Sequence, residues 1–587
     1  MELPGVSSLQ SRLDNLRARP FGRMCGHFLR ALTQTGQESE QLEFGAGALL
    51  ALLAVPGGFA ALSLLDRYST FLAWLRQQGP VDVFAVSMPD KYFFIVFSMA
   101  ITGVVAVFKW DRILPSKQDY FNFAPLPIAP SQIYLASLSA ALAAAGLFAL
   151  DVNIGSVVLF PLVVMASAPG ATFGSFVSFV LIHAFIVIMA SLFTFFACFA
   201  VITSVLALLP TSWFARISVP LRVGLIVGWL ALLVSNAVVP QMILVSPDGW
   251  IGWLPPVWFV ALYQKLQRSG PAALTLLADR AWIGAAVALA VAGLASWLGY
   301  HRYFRRIPEM SARDERRGMA ATRGAPAWAW RAVRWLVRKP VEQGIYTFSL
   351  RVLMRSETHP LVVGALMGLG LLLGTEAAVG ALSRPPPRDG LPAVAWLSVP
   401  LILTYSLAVA IRFSFELPAL WKANWIFAYL LDPEQHVAPP LARKILLTML
   451  TPLTLATGAV FTWHWGAPVG ITYFAFLTVA TLMLIELLVV DFCKIPFTCS
   501  LPPFRNDTLA VMLGHLLGFA FFTAGGAQMA SMMYRAPLRF WIFTTLVTAI
   551  WGAARYWLRE STVGATALQF TARQEAALQT LDLADRT

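Results

Sequence analysis

Apolar runs of about 20 residues recur along almost the whole chain, and this limits the fold more than any other feature. A helix rises about 1.5 Å per residue, so about 20 apolar residues cross the roughly 30 Å hydrocarbon layer of a bilayer. Twelve such runs lie near 44–65, 91–108, 133–150, 175–208, 220–244 and 281–299, then near 360–382, 392–411, 445–463, 470–490, 508–530 and 539–557. Of the 587 residues, 58% are hydrophobic and 12% are charged. Average soluble domains carry about 25% charged residues. The sequence therefore predicts an all-α polytopic membrane protein with about 12 transmembrane helices in two six-helix halves. Residues 155–168 (GSVVLFPLVVMASA) are apolar but short and contain Pro161, which reads as a re-entrant or interfacial piece. The run 175–208 is long for one crossing and has room to tilt or bend. Asp151 and Asn153 read as the outer end of the third span.

Charge sets the orientation. With the N-terminus inside, the inner loops collect most of the 43 Lys and Arg, whereas the opposite topology would place them outside. Both termini are expected in the cytoplasm and the chain in the cell inner membrane. The largest basic cluster, HRYFRRIPEMSARDERRG, follows the sixth span. Inner loops thus account for the net charge of +13, and no nucleic-acid partner is expected. The first 40 or so residues are polar and basic, without a secretory leader's apolar core, so the first run is expected to act as an uncleaved anchor.

The organisation follows from the same pattern. Residues 1–43 form a cytoplasmic amphipathic segment and 44–299 the first six-helix half. Residues 300–359 form a basic linker with an interfacial helix, 360–557 the second half, and 558–587 a cytoplasmic tail. Each half opens on a basic amphipathic stretch, Ser11 to Leu32 and Trp328 to Pro340, of the kind that lies in the interface plane. Each half also carries a polar, proline-bounded elbow between its second and third spans. The first is KWDRILPSKQDYFNFAPLPIAPSQ (Lys109 to Gln132) and the second runs from Arg412 to Lys444. Both have an early Leu-Pro, an aromatic–Asn cluster (Tyr120, Phe121, Asn122 and Phe123; Asn424, Trp425 and Phe427) and a closing Ala-Pro. Two readings of the aromatics are open. Either they dip back into the interface, or they form a short helix offered to a soluble partner.

The first elbow, the amphipathic N-terminal stretch and the segment WIGWLPPVWFVALYQKL (Trp250 to Leu266) together resemble the transmembrane subunits of ABC-2 type transporters. The resemblance implies an interfacial helix before six spans, short outer helices between spans five and six, and an elbow that docks on a separate ATPase subunit. On that basis Tyr120, Phe121, Phe123, Asn424, Trp425 and Phe427 would couple the two. The second half departs from the pattern, with a very short outer loop near Ser531 to Leu538.

The chain has no nucleotide site of its own: it contains no G-x-x-x-x-G-K-[ST] and no Gly-Lys dipeptide. It also has no H-E-x-x-H or G-x-S-x-G, so no catalytic residues, metal or cofactor are expected. Cys25, Cys198, Cys493 and Cys499 lack zinc spacing and read as free thiols. His183, Glu376, Glu486 and His515 are ionisable residues in or near spans. Such residues are costly in hydrocarbon and are candidates for function. A Glu–His proton relay would make the chain an ion-coupled secondary transporter; helix-end carboxylates and packed neutral imidazoles would make them structural. The expected function is the permease subunit of an ATP-driven exporter in contact with membrane lipids and an unidentified substrate. The alternatives are the ion-coupled carrier and a non-transporting membrane assembly factor.

Overall fold

The computed structural model describes residues 20–33, 57–65, 82–113, 117–123, 125–166, 172–236, 238–245, 249–304, 337–356, 358–385, 389–417, 438–490, 494–498 and 508–562, with a few single positions beside them. All regular structure among the described residues is helical. Ten of the described helices are long and apolar enough to cross a bilayer, so the chain is a multi-pass membrane protein. Contacts divide it into two compact units, 1–323 and 324–587.

Unit 1 begins with α1 (Pro20–Thr33), in which Met24, Phe28 and Leu32 recur every fourth residue and are buried, while Arg23, His27 and Arg30 point outward. The longer helices that follow are α2 (Met88–Phe108), α3 (Lys117–Phe123), α4 (Pro130–Ala166), α5 (Phe173–Leu208), α6 (Thr211–Ser235), α7 (Pro255–Gln267) and α8 (Ala278–Phe304). Helix α5 sits at the centre, against α2, α4, α7 and α8, while α1 lies along α4. The half-length α7 wedges among α2, α5 and α8 and buries Val257, Phe259, Val260 and Tyr263. Arg268 closes it in the left-handed conformation, with φ 54°.

Unit 2 holds α9 (Pro340–Arg355), α10 (Thr358–Leu382), α11 (Val394–Ser414), α12 (Ala438–Trp465), α13 (Ala467–Val489), α14 (Thr508–Ala520), α15 (Gly526–Arg535) and α16 (Pro537–Thr562). A π turn, Phe521–Gly525, joins α14 to α15, so the span Leu513–Arg535 is continuous but widened at its middle. Ala536 alone separates α15 from α16. Helices α10 and α11 form one antiparallel pair, α12 and α13 another, and α9 packs on α10 and α12.

Three sequence expectations need revision. Residues 155–168 are not a re-entrant piece: up to Ala166 they continue α4, a single helix of 37 residues that retains Pro161. At about 1.5 Å per residue it is about 55 Å long, more than one crossing requires. Asp151 and Asn153 do not end the helix but lie within it. Asn153 is tolerated there because its side-chain amide donates to Ala149 O at 2.8 Å in its own helix, and to Ser98 Oγ at 3.0 Å and Ser191 Oγ at 3.3 Å in α2 and α5. The fifth span does not run to 244. It stops at Ser235, with Asn236 as cap, and Pro240 then falls in a separate short helix, Val239–Val245. Ten of the twelve predicted runs correspond to apolar spanning helices among the described residues. Only 57–65 of the first run lie among the described residues. The last run falls within α16, which carries Arg539 and Arg555 and is not one of the ten.

Helix contacts in lipid rely on small residues that let backbones approach. A Cβ added at Gly103 would fall 2.5 Å from the Trp229 ring of α6, whereas one at Gly146 would meet nothing within 4 Å. Gly103→Ala should therefore cost about 1–3 kcal/mol through overpacking. Gly146→Ala should be neutral or slightly stabilising, as measured by thermal denaturation of the purified protein in detergent.

Candidate functional site

The elbow of unit 1 is built on α3. Asp119 and Phe123 are four residues apart and share one helix face, while Phe121, two positions from each, falls on the other and Asn122 lies at the border. The first face is anchored. His27 Nε2 donates to Asp119 Oδ1 at 2.9 Å. The Phe123 ring lies 5.9 Å from that of Phe28 and 5.7 Å from that of His27. Phe123 and Ile128 pack against a buried cluster of Met24, Phe28, Ile133, Ala136 and Ala140, which joins α1 to the start of α4. Burial at this joint pushes the Cys25 thiol pKa up. Away from these contacts, Phe121 is 57% exposed and Asn122 is exposed. Tyr120 lies in the helix, but its side chain is outside the described residues.

In unit 2, Asn424 and Trp425 lie outside the described residues. Phe427 is half-buried with its ring 5.4 Å from Phe348 of α9, while Tyr429 two positions on is 85% exposed. In each unit, then, an elbow aromatic is seated on the amphipathic helix preceding the first predicted span. The start of this elbow is clamped by the segment after α13. The Ala419 amide donates to Phe497 O at 3.0 Å, and the Phe497 amide donates to Phe415 O at 3.2 Å. Phe497 is fully buried with φ 67°, a conformation uncommon for a bulky residue and held here by the rings of Phe415 and His359. His359 Nε2 donates to Leu417 O at 3.0 Å.

Ion pairs tie the same end of unit 2 together. Arg412 pairs with Glu416 at 2.5 Å and lies 4.7 Å over the Phe492 ring, and Lys494 also pairs with Glu416. Lys444 of α12 reaches Glu342 of α9 at 3.3 Å, and Arg443 reaches Glu486 of α13 at 2.9 Å. Tyr346 of α9 shares a 2.7 Å hydrogen bond with Thr448, and burial raises its phenol pKa. At the other end Arg535 donates to Asp389 at 2.8 Å. That bond holds the Asp389 carboxyl below the usual carboxylate range, so the tie persists at neutral pH and is lost as pH falls through the lowered value.

The four ionisable candidates are not brought together. His183 is fully buried in α5, its Nδ1 2.8 Å from the Tyr263 hydroxyl, between the rings of Phe94 and Phe160. Glu376 and His515 are exposed on α10 and α14. Glu486 is held by Arg443. Cys25 and Cys198 are free thiols, and Cys493 and Cys499 lie outside the described residues. No group of three or more metal-ligating side chains occurs among the described residues.

A buried polar set near the start of α2 escaped the sequence reading. Asp90 accepts from Arg67 at 2.9 Å and from the Tyr68 hydroxyl at 2.6 Å. Lys91, fully buried, donates to Phe84 O at 2.6 Å and to Gln267 Oε1, with its ammonium 5.0 Å from the centre of the Tyr263 ring. Asp90 and Lys91 stand at the edge of the run 91–108. The apolar DVFAV just upstream was the one signal that the protein continues to surround them. No protein-family model, curated protein or solved structure matches this chain.

Arg443 and Glu486 are each partly shielded, so their pairing should be measurable. Arg443→Glu and Glu486→Arg should each lower the melting temperature, and the double exchange should recover part of the loss. A double-mutant cycle should yield a coupling of about 0.5–3 kcal/mol.

Proposed function

We propose that the chain is the membrane-spanning permease subunit of an ATP-driven exporter of the ABC-2 type. In this reading it sits in the cell inner membrane with twelve spans and both termini in the cytoplasm. A separate ATPase subunit binds and hydrolyses ATP, and its stroke enters the spans through the elbows. The observation that carries the reading is the two-faced α3: one face is fastened to α1 and α4 through Asp119 and Phe123, and the other leaves Phe121 exposed, with Asn122 exposed at its border. A helix fastened to the bundle through one face, with aromatic surface exposed on the other, can serve as a handle. Force on its outer face moves α1 and the long α4 together, because the aromatic cluster and the His27–Asp119 bond resist separation. The Phe348–Phe427 contact offers the same linkage in unit 2. The absence of a phosphate-binding loop from the sequence agrees with an engine on another polypeptide.

The second reading, an ion-coupled carrier, draws on the buried Lys91, Tyr263 and His183 of unit 1. It gains less from the carboxylates, since Glu376 is exposed on its helix and Glu486 already has a cationic partner.

A photoreactive residue placed at 121 in the full chain should capture a nucleotide-hydrolysing protein in native membranes. The same residue at 123 should crosslink within the chain, to α1. Phe121→Asp should reduce co-purified ATPase at least about tenfold while insertion stays normal, as removal of an aromatic anchor at an interface does. Capture of lipid alone from 121, with co-purification unchanged, would overturn the reading.

A further inference from the structure

Helix α9 has two faces. Ile345, Tyr346, Ser349 and Leu353 are buried against the rest of unit 2. Gly344, Thr347, Phe348, Arg351 and Val352, three and four residues apart, line a groove of about 410 Å³ together with Ser356 and Ala419. That volume falls within the roughly 300–1,000 Å³ range of small-molecule sites.

The chemistry of the groove is lopsided. Its wall is mainly the apolar surface of Phe348, Val352 and Ala419, with bare backbone at Gly344. The polar groups other than Arg351 are already engaged: the Thr347 hydroxyl donates to Gln343 O at 2.8 Å, and the Ser356 hydroxyl is bonded to His359. The one carboxylate of α9, Glu342, is held by Lys444 and Lys339. Arg351 is exposed and has no ion-pair partner among the described residues, and no Asp or Glu lines the groove. A free guanidinium beside an apolar trough calls for a ligand with an anionic head and a hydrocarbon tail.

The location narrows this further. Helix α9 ends at Arg355 and the span α10 begins at Thr358, so the groove lies where a span enters the membrane. Met354, one helical turn beyond Arg351, is 76% exposed, an apolar side chain suited to acyl chains. Lipid phosphates lie at this level, and arginine binds phosphate through paired N–H donors. A zwitterionic headgroup would bring an ammonium for which the groove has no carboxylate.

We propose that this groove is a binding site for an anionic phospholipid, its phosphate on the Arg351 guanidinium and its chain along Phe348 and Val352. Phe348 also holds Phe427, so the bound lipid braces the elbow of unit 2. The site does not depend on how transport is powered.

The test uses the full chain in nanodiscs of phosphatidylcholine with a minor share of phosphatidylglycerol, followed by gentle detergent extraction and mass spectrometry of retained lipid. The wild-type protein should enrich phosphatidylglycerol over its bulk share by about fivefold or more, a factor one basic group at an anionic surface can supply. Arg351→Gln should abolish the enrichment. Gly344→Leu, whose Cβ meets nothing within 4 Å, should fill the groove without disturbing α9 and should also reduce it. Arg338→Gln, which removes an exposed cation outside the groove, should leave it intact. Millimolar inorganic phosphate should not displace the lipid. Enrichment at the wild-type level in Arg351→Gln or in Gly344→Leu, or displacement by phosphate alone, would overturn the proposal.

Discussion

Hydrocarbon offers a polar group no water, and the structure follows from that constraint. The backbone answers it by forming helices that satisfy their own amides. The side chains answer it in pairs. Lys91 is buried at the cost of its hydration and finds a carbonyl, an amide oxygen and an aromatic face instead. Asp90 collects a guanidinium and a phenol, and Asn153 ties α4 to α2 and α5. Glu486 lies beside Arg443. These polar groups thus join one element to another, and such ties hold neighbouring spans in register where lipid and side chain are equally apolar.

The elbows apply the same logic at the membrane surface. A short helix carrying Phe123 cannot stand alone in water, so it rests on α1, itself amphipathic and seated on α4. Phe427 rests on Phe348 of α9 in the second unit. The residues differ but the arrangement recurs: an interfacial helix supports an elbow aromatic, and a neighbouring aromatic remains exposed. This ties the elbow to the bundle and leaves part of its aromatic surface exposed. An acyl chain along α9 would stiffen the same joint.

Much of the fold was legible because length and apolarity leave a spanning segment few options. What was misread has physical causes. Asp151 and Asn153 were taken as signs of water, but Asn153 in fact bonds within its own helix and to Ser98 and Ser191, residues far away in the chain. Pro161 looked like a break, yet the helix passes through it. Arg and Trp place the second interfacial helix over 328–340, of which only the last few residues are described, whereas the amphipathic helix in the structure, α9, begins at Pro340. Its signs were Pro340 at the first helical position and apolar Val341, Ile345, Phe348 and Val352 spaced three and four apart. The aromatic elbows were visible in the sequence, but not their anchors, because Phe28 and Phe348 lie far from Phe123 and Phe427 along the chain.

The central claim is that the first elbow is fastened to the amphipathic N-terminal helix. Crosslinking of His27→Cys to Asp119→Cys by a short bifunctional thiol reagent, in native membranes and without added partner, tests it most directly. The account predicts efficient crosslinking, since the native side chains meet at 2.9 Å across a gap too wide for a direct disulfide between their backbones, and little crosslinking between 27 and a cysteine at position 121 on the far side of the helix. Efficient crosslinking from 121 with none from 119 would contradict it.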